Sequence, residues 1–124
     1  MKLGVVGSRT FNNYDFLKKC LSFHSDNISL IISGGCRGAD LLAIDYAKEH
    51  RIKYIEFTAN WDMEGRSAGY NRNKKIVEAS DEIIAFWDGK SKGTKHTMDL
   101  AESVGKLVYI YWPSTNEIIE NIGL

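Results

Sequence analysis

At 124 residues the chain has the length of one domain, enough to bury well over half of its unfolded surface. Hydrophobic residues at 44% and charged residues at 26% are the proportions of an ordinary globular protein. Sixteen basic and sixteen acidic side chains cancel. No overall positive field therefore draws the chain to nucleic acid or anionic membranes, although a local basic cluster is compatible with a neutral total.

Five short runs rich in Ile, Val, Tyr and Phe alternate with helical patterns along the chain. The first run, Leu3–Val6, precedes a helical pattern over Tyr14–Phe23. Ile28–Ile32 precedes Ala39–His50, whose inward face is Ala39, Leu42, Ala43, Tyr46 and Ala47. Small residues on that face let the helix lie close to a sheet. Lys53–Phe57 precedes Gly69–Ala79, and Ile83–Phe86 precedes Thr94–Val104. Leu107–Tyr111 is the last run of this kind. Runs of this composition read as strands buried on both faces. Past the only proline, Pro113, the capping-box spacing of Ser114 and Glu117 with Ile118, Ile119 and Ile122 predicts a short terminal helix. Strict alternation of strand and helix means a parallel sheet with right-handed crossovers. The expected fold is a Rossmann-like three-layer α/β sandwich on a five-stranded parallel sheet, with residues 1–124 as a single domain.

In such sheets ligands bind beyond the carboxyl ends of the strands, where the strand order reverses. The loops at those ends are Gly7–Asn13, Ser33–Asp40, Thr58–Gly69 and Trp87–Thr94. They hold Arg9, Arg37, Arg66, Trp61, Trp87 and most of the glycines, whereas the opposite-end loop Ser25-Asp26-Asn27 reads as a plain solvated turn. One composite site at the carboxyl edge is the expectation.

In the first loop, Gly7 permits a tight turn, Ser8 offers a hydroxyl and Arg9 a forked cation suited to phosphate. The second loop, Ser33-Gly34-Gly35-Cys36-Arg37-Gly38-Ala39-Asp40, is strand, glycine turn and helix start in succession. That order aims backbone N–H groups at one point, where a phosphate is the natural occupant. Asp40 is placed either to cap the helix or to bind a ribose hydroxyl. The loop lacks both the P-loop pattern and the Gly-x-Gly-x-x-Gly of hydride-transfer enzymes. In the third loop Trp61 either stacks on a base or covers the sheet edge, and Trp87 of the fourth loop is the other candidate to flank a base. Arg66 lies beside Trp61, and Arg72 and Asn73 open the third helix and point inward, or form a solvated basic turn. The fourth loop carries Gly89, Gly93 and Thr94, the last as an N-cap or a second phosphate contact. His96 reads as a surface histidine ahead of an acid/base group. Asp62, Glu64 and Asp88 are acid/base candidates by position alone. Cys20 falls on an apolar helix face, and Cys36 is a small residue in a turn; neither has disulfide or metal spacing.

Together Gly7-Ser8-Arg9, Ser33 to Asp40, Trp61 with Gly65-Arg66, Asn71-Arg72-Asn73 and Gly93-Thr94 resemble the SLOG superfamily. Within it, the sequence is most similar to the small YspA-related proteins of bacteria and phages. That resemblance implies a Rossmann-like domain binding nucleotides or nucleotide-derived ligands such as NAD or ADP-ribose-like molecules, in some members as a sensor. Lonely Guy phosphoribohydrolases, in the same superfamily, cleave a base from a nucleoside monophosphate with a Pro-Gly-Gly-x-Gly-Thr-x-x-Glu motif. Here Gly93-Thr94 remains, the Pro is absent, and Thr97 stands where the catalytic Glu would be. DNA-processing protein A, another relative, shares the first two turns and binds single-stranded DNA as a dimer.

The expectation is a nucleotide-type phosphate ligand at the carboxyl edge, with no cofactor or metal required. Its contacts would be Gly7, Ser8, Arg9, Ser33, Gly34, Gly35, Arg37, Gly38, Asp40, Trp61, Arg66, Arg72, Asn73, Gly89, Gly93 and Thr94. N-glycosidic hydrolysis of such a ligand and single-stranded DNA binding are the alternatives. No apolar run approaches ~18 residues, and the chain opens on a strand pattern, so a cytoplasmic protein is expected. Trp112 and the terminal isoleucines, read as exposed, would suit a homodimer interface.

Overall fold

The computed structural model describes residues 1–24, 28–112 and, for their backbone, 117–121. The elements are β1 (Lys2–Gly7), α1 (Tyr14–Ser22), β2 (Leu30–Ser33), α2 (Ala39–Glu49), β3 (Lys53–Glu56), α3 (Trp61–Glu64), a 3-10 turn (Gly65–Ser67), α4 (Ala68–Ala79), β4 (Glu82–Phe86), α5 (Lys92–Ser103), β5 (Leu107–Trp112) and β6 (Glu117–Asn121). They build one sheet in the order β3-β2-β1-β4-β5-β6. The first five strands are parallel, as expected, and β6 joins β5 antiparallel.

Successive side chains of the central strands enter opposite cores, which is why those strands read as unbroken apolar runs. Leu3, Val5, Ile84 and Phe86 pack under α1 and α2 with Phe16, Leu17, Ala43 and Ala47. Val6, Ile83, Ala85 and Val108 pack under α4 and α5 with Ile76, Val77, Met98 and Ala101. The alanines on α2 let that helix sit against β1 and β2. Cys20 lies in the first core, where burial pushes its thiol up to about 12.

Three expectations need correcting. The predicted terminal helix is a strand: Ile118 and Ile119 pair with Tyr111 and Ile110. A segment so short cannot hold a helix by itself, and β-branched residues fit a ladder on the otherwise open edge of β5. Pro113, Ser114 and Ile122 lie outside the described residues, as does the Ser25-Asp26-Asn27 turn. The second correction concerns β3, which is not buried on both faces. It is an edge strand with all four residues exposed, Tyr54 and Ile55 flanked by the charges of Lys53 and Glu56. The third concerns Trp112, which is half-buried against Trp87, ring centres 5.4 Å apart, rather than exposed.

From β1 the chain winds outward to β2 and β3, then returns through α4 to β4 on the other side of β1. The order therefore reverses between β1 and β4. Their carboxyl ends, Gly7 and Phe86, lie in register, and a crevice opens above them.

Candidate functional site at the strand switch point

Ser8 ties the crevice together. Its N–H extends the ladder to the Phe86 carbonyl at 3.0 Å, and its hydroxyl oxygen accepts from the Asp88 N–H at 3.1 Å. Its carbonyl accepts from the N–H groups of Phe11 at 3.2 Å and Ala39 at 3.4 Å. The last contact pulls the start of α2 onto the first loop. Gly38 makes the approach possible: φ is +84°, and a Cβ there would collide with the Ser8 carbonyl oxygen.

The glycine turn before α2 is filled from within. Ser33 is buried; its hydroxyl donates to the Asp40 carbonyl at 2.9 Å and accepts from the Gly35 N–H at 3.2 Å. Asp40 does not cap α2, whose N-cap is Gly38 with no side-chain bond. Its carboxylate turns back to accept from the Cys36 N–H at 3.3 Å. Burial pushes this carboxyl up to about 6, opposed by the Cys36 N–H, Arg72 and Arg9. Arg72 donates from Nη1 to the Gly34 carbonyl at 3.1 Å and reaches the Cys36 sulfur at 3.2 Å. A Cβ on Gly34 would come within 2.8 Å of both Arg72 Nη1 and Asp40 Oδ2. The turn is thus a packed joint between α2 and α4.

The turn before α5 is built differently. Asp88 accepts from the N–H groups of Lys90 and Ser91, both at 2.8 Å, which holds its carboxyl below the usual range. Ser91, not Thr94, caps the helix; its hydroxyl oxygen accepts from the Thr94 N–H at 3.4 Å and lies 3.0 Å from the Thr94 hydroxyl. The first-turn N–H groups of Lys92 and Gly93 have no carbonyl within the helix to bond. A Cβ on Gly93 would meet nothing within 4 Å. Here the helix start is open.

α4 begins at Ala68, so Arg72 and Asn73 lie in its second turn rather than at its opening. Arg72 Nε donates to Asn73 Oδ1 at 2.9 Å, which orients the amide. Asn73 Nδ2 then faces the Gly93 carbonyl at 3.3 Å and His96 Nδ1 at 3.2 Å. With Asn73 donating, the proton of His96 sits on Nε2. Burial lowers the His96 pKa, which favours that neutral ring. His96 is half-buried rather than a free surface residue, with its ring 4.4 Å from that of Tyr70.

These parts enclose a cleft of about 370 Å³ over Val6 and Ile76. It brings together Gly7, Ser8, Arg9, Asp40, Arg72, Asn73, Gly93 and Thr94 from the sequence reading. It takes in Asp88, of the three acid/base candidates, and adds Thr10, Cys36, Ser91 and Thr97. Ser33, Gly34, Gly35, Arg37, Gly38, Trp61 and Arg66 stand outside its lining, and Gly89 lines a neighbouring cavity. Arg37 and Arg66 are exposed. Trp61 covers the start of α4, its ring 3.3 Å from where a Gly69 Cβ would be. Thr97 donates its hydroxyl to the Gly93 carbonyl at 3.2 Å. Ser91 had a sequence signal, since Ser three residues before Thr94 is a good N-cap. Thr97 carries no such signal, because its place on the cleft depends on where α5 begins.

The family model described as YspA, cpYpsA-related SLOG family matches residues 1–63. A gene 61 protein of Mycobacterium phage D29 is 37% identical over 110 residues, covering 82% of this chain and 88% of the phage protein. The chain belongs to the YspA, cpYpsA-related SLOG family. The match ends at Met63, so it takes in the first two loops, while the α4 and α5 parts of the cleft lie beyond it.

Two solved structures share the fold at 20% identity. DNA processing protein A from Streptococcus pneumoniae superposes with a TM-score of 0.76 over 90% of this chain, which spans half the length of that structure. The Helicobacter pylori protein, whose structure concerns its single-stranded DNA binding mode, gives 0.72 over 99% of this chain and 69% of its own. Among the described residues, no helix is long and apolar enough to cross a membrane.

Proposed function

We propose that this family member binds a nucleotide or nucleotide-derived phosphate compound in the switch-point cleft. The observation that carries the reading is that the open start of α5 lines the same cavity as Arg9 and Arg72. A helix start supplies unpaired N–H donors and a positive dipole end, and Ser91 and Thr94 add hydroxyls. Arg9 supplies a forked cation, and Arg72 adds charge from the wall. Asp40, at the floor between them, is an acceptor for ribose hydroxyls. Titration calorimetry against nucleoside monophosphates, NAD and ADP-ribose tests this: at least one binds saturably, and Arg9→Ala weakens it about 10-fold or more. A folded protein that binds none of them sinks the reading.

A short single strand of DNA is the second reading. It is favoured by Lys90 and Lys92, which line the neighbouring cavity, and by the fold shared with the H. pylori protein. It predicts oligonucleotide affinity that falls steeply with salt. No oligonucleotide binding at low salt removes it.

A further inference from the structure

Beyond Ser91 lies a second cavity of about 500 Å³, and Ser91 lines both. Elsewhere the wall between them is one contact thick, where Asn73 of the cleft touches His96 of the second cavity at 3.2 Å. The two differ sharply in chemistry. Among the described residues, no aromatic side chain lines the cleft. The second cavity has Tyr70, Trp87 and His96, rimmed by Lys90, Lys92 and Lys95.

Each ring is held in place. Trp87 donates its indole N–H to the Ser91 carbonyl at 3.0 Å and packs on Trp112. His96 is positioned by Asn73, and Tyr70, 55% exposed, leans on His96 at 4.4 Å. Of the lysines, Lys95 pairs with Asp99 at 2.7 Å. Lys90 and Lys92 have no carboxylate within 4 Å among the described residues. Pinned aromatic faces beside uncommitted ammonium groups suit a flat heteroaromatic ring carried by an anionic ligand. Stacking of this kind accepts any base, because every base has a π-face.

We infer that the Tyr70–Trp87–His96 groove is the base-binding subsite for the nucleotide-type ligand whose phosphate sits in the adjoining cleft. This rests on the proposed function, and it places the base over Tyr70 and Trp87 rather than Trp61, which lines neither cavity.

Calorimetry of the full chain with AMP and with ribose 5-phosphate separates the two claims. AMP is expected to bind about 10-fold or more tightly than ribose 5-phosphate, the gain expected of one stacked base. Tyr70→Ala, an exposed position, should abolish that advantage while leaving ribose 5-phosphate affinity within about twofold, and Tyr70→Phe should restore it. AMP, unlike ribose 5-phosphate, should also change the tryptophan emission. Equal affinity for the two ligands overturns the subsite while leaving the phosphate cleft standing. So does a Tyr70→Ala protein that still prefers AMP. If neither ligand binds, the subsite falls, and the proposed function falls with it only when NAD, ADP-ribose and the other monophosphates also fail to bind.

Discussion

Two helix starts face the same crevice, and both follow the pattern strand, glycine turn, helix. At α2 the turn is closed upon itself: Ser33 and the Asp40 carboxylate take its N–H groups, and Arg72 packs on its carbonyl side. At α5 the acidic residue lies before the helix, where Asp88 closes the turn and leaves the first helical N–H groups unused. The position of one carboxylate separates them. Placed within the helix and buried, it occupies the anion position; placed before the helix, it shapes the loop and leaves that position free. The first start acts as a joint, and the second is the one left open for the ligand proposed above.

Substitutions at the two starts should separate these roles, beginning with the largest effect. Gly38→Ala forces a Cβ into the Ser8 carbonyl at a φ that L residues avoid. It should cost about 3 kcal/mol or more in urea unfolding. A loss below ~1 kcal/mol would mean that α2 does not depend on this approach.

Asp40 gives a pH signature. Its carboxyl rises from 3.8 unfolded to about 6 folded, so between those values the native state holds the extra proton. Stability from this group is fully present below about pH 4 and is lost as pH rises through 6, by about 3 kcal/mol. Asp40→Asn should flatten that fall in chemical denaturation at pH 4, 5, 6 and 7. An unchanged slope would place the titration elsewhere.

Ser91→Ala removes the α5 cap and should cost about 1 kcal/mol, together with some ligand affinity. Gly93→Ala meets open space and should change stability by less than about 0.5 kcal/mol. If the α5 start is the receptor, the same methyl crowds the phosphate and lowers its affinity several-fold in calorimetry. Unaltered affinity in a folded Gly93→Ala protein would remove α5 from the site.

Much of this molecule was legible as sequence. The apolar runs and helical spacing set the parallel sheet, because burial on both faces leaves an unbroken hydrophobic signature. Parallel order then pointed to the carboxyl edge, and eight of the residues singled out there, from Gly7 to Thr94, line one cleft. The local errors have a common cause. The terminal isoleucines, the N-cap of α5 and the role of Asp40 each depended on a neighbour distant in sequence or on a choice between adjacent turns. β6 formed because β5 offered an edge.

The sequence by itself determined the fold class, the family and the edge of the sheet that gathers the arginines and glycines. Periodicity and short motifs encode these, and neither requires knowledge of distant contacts. Only the tertiary structure decided which glycine turn stays open. That choice rests on the burial of the Asp40 carboxylate against Arg72, 32 residues further along the chain, where desolvation and charge outweigh what the local motif prefers.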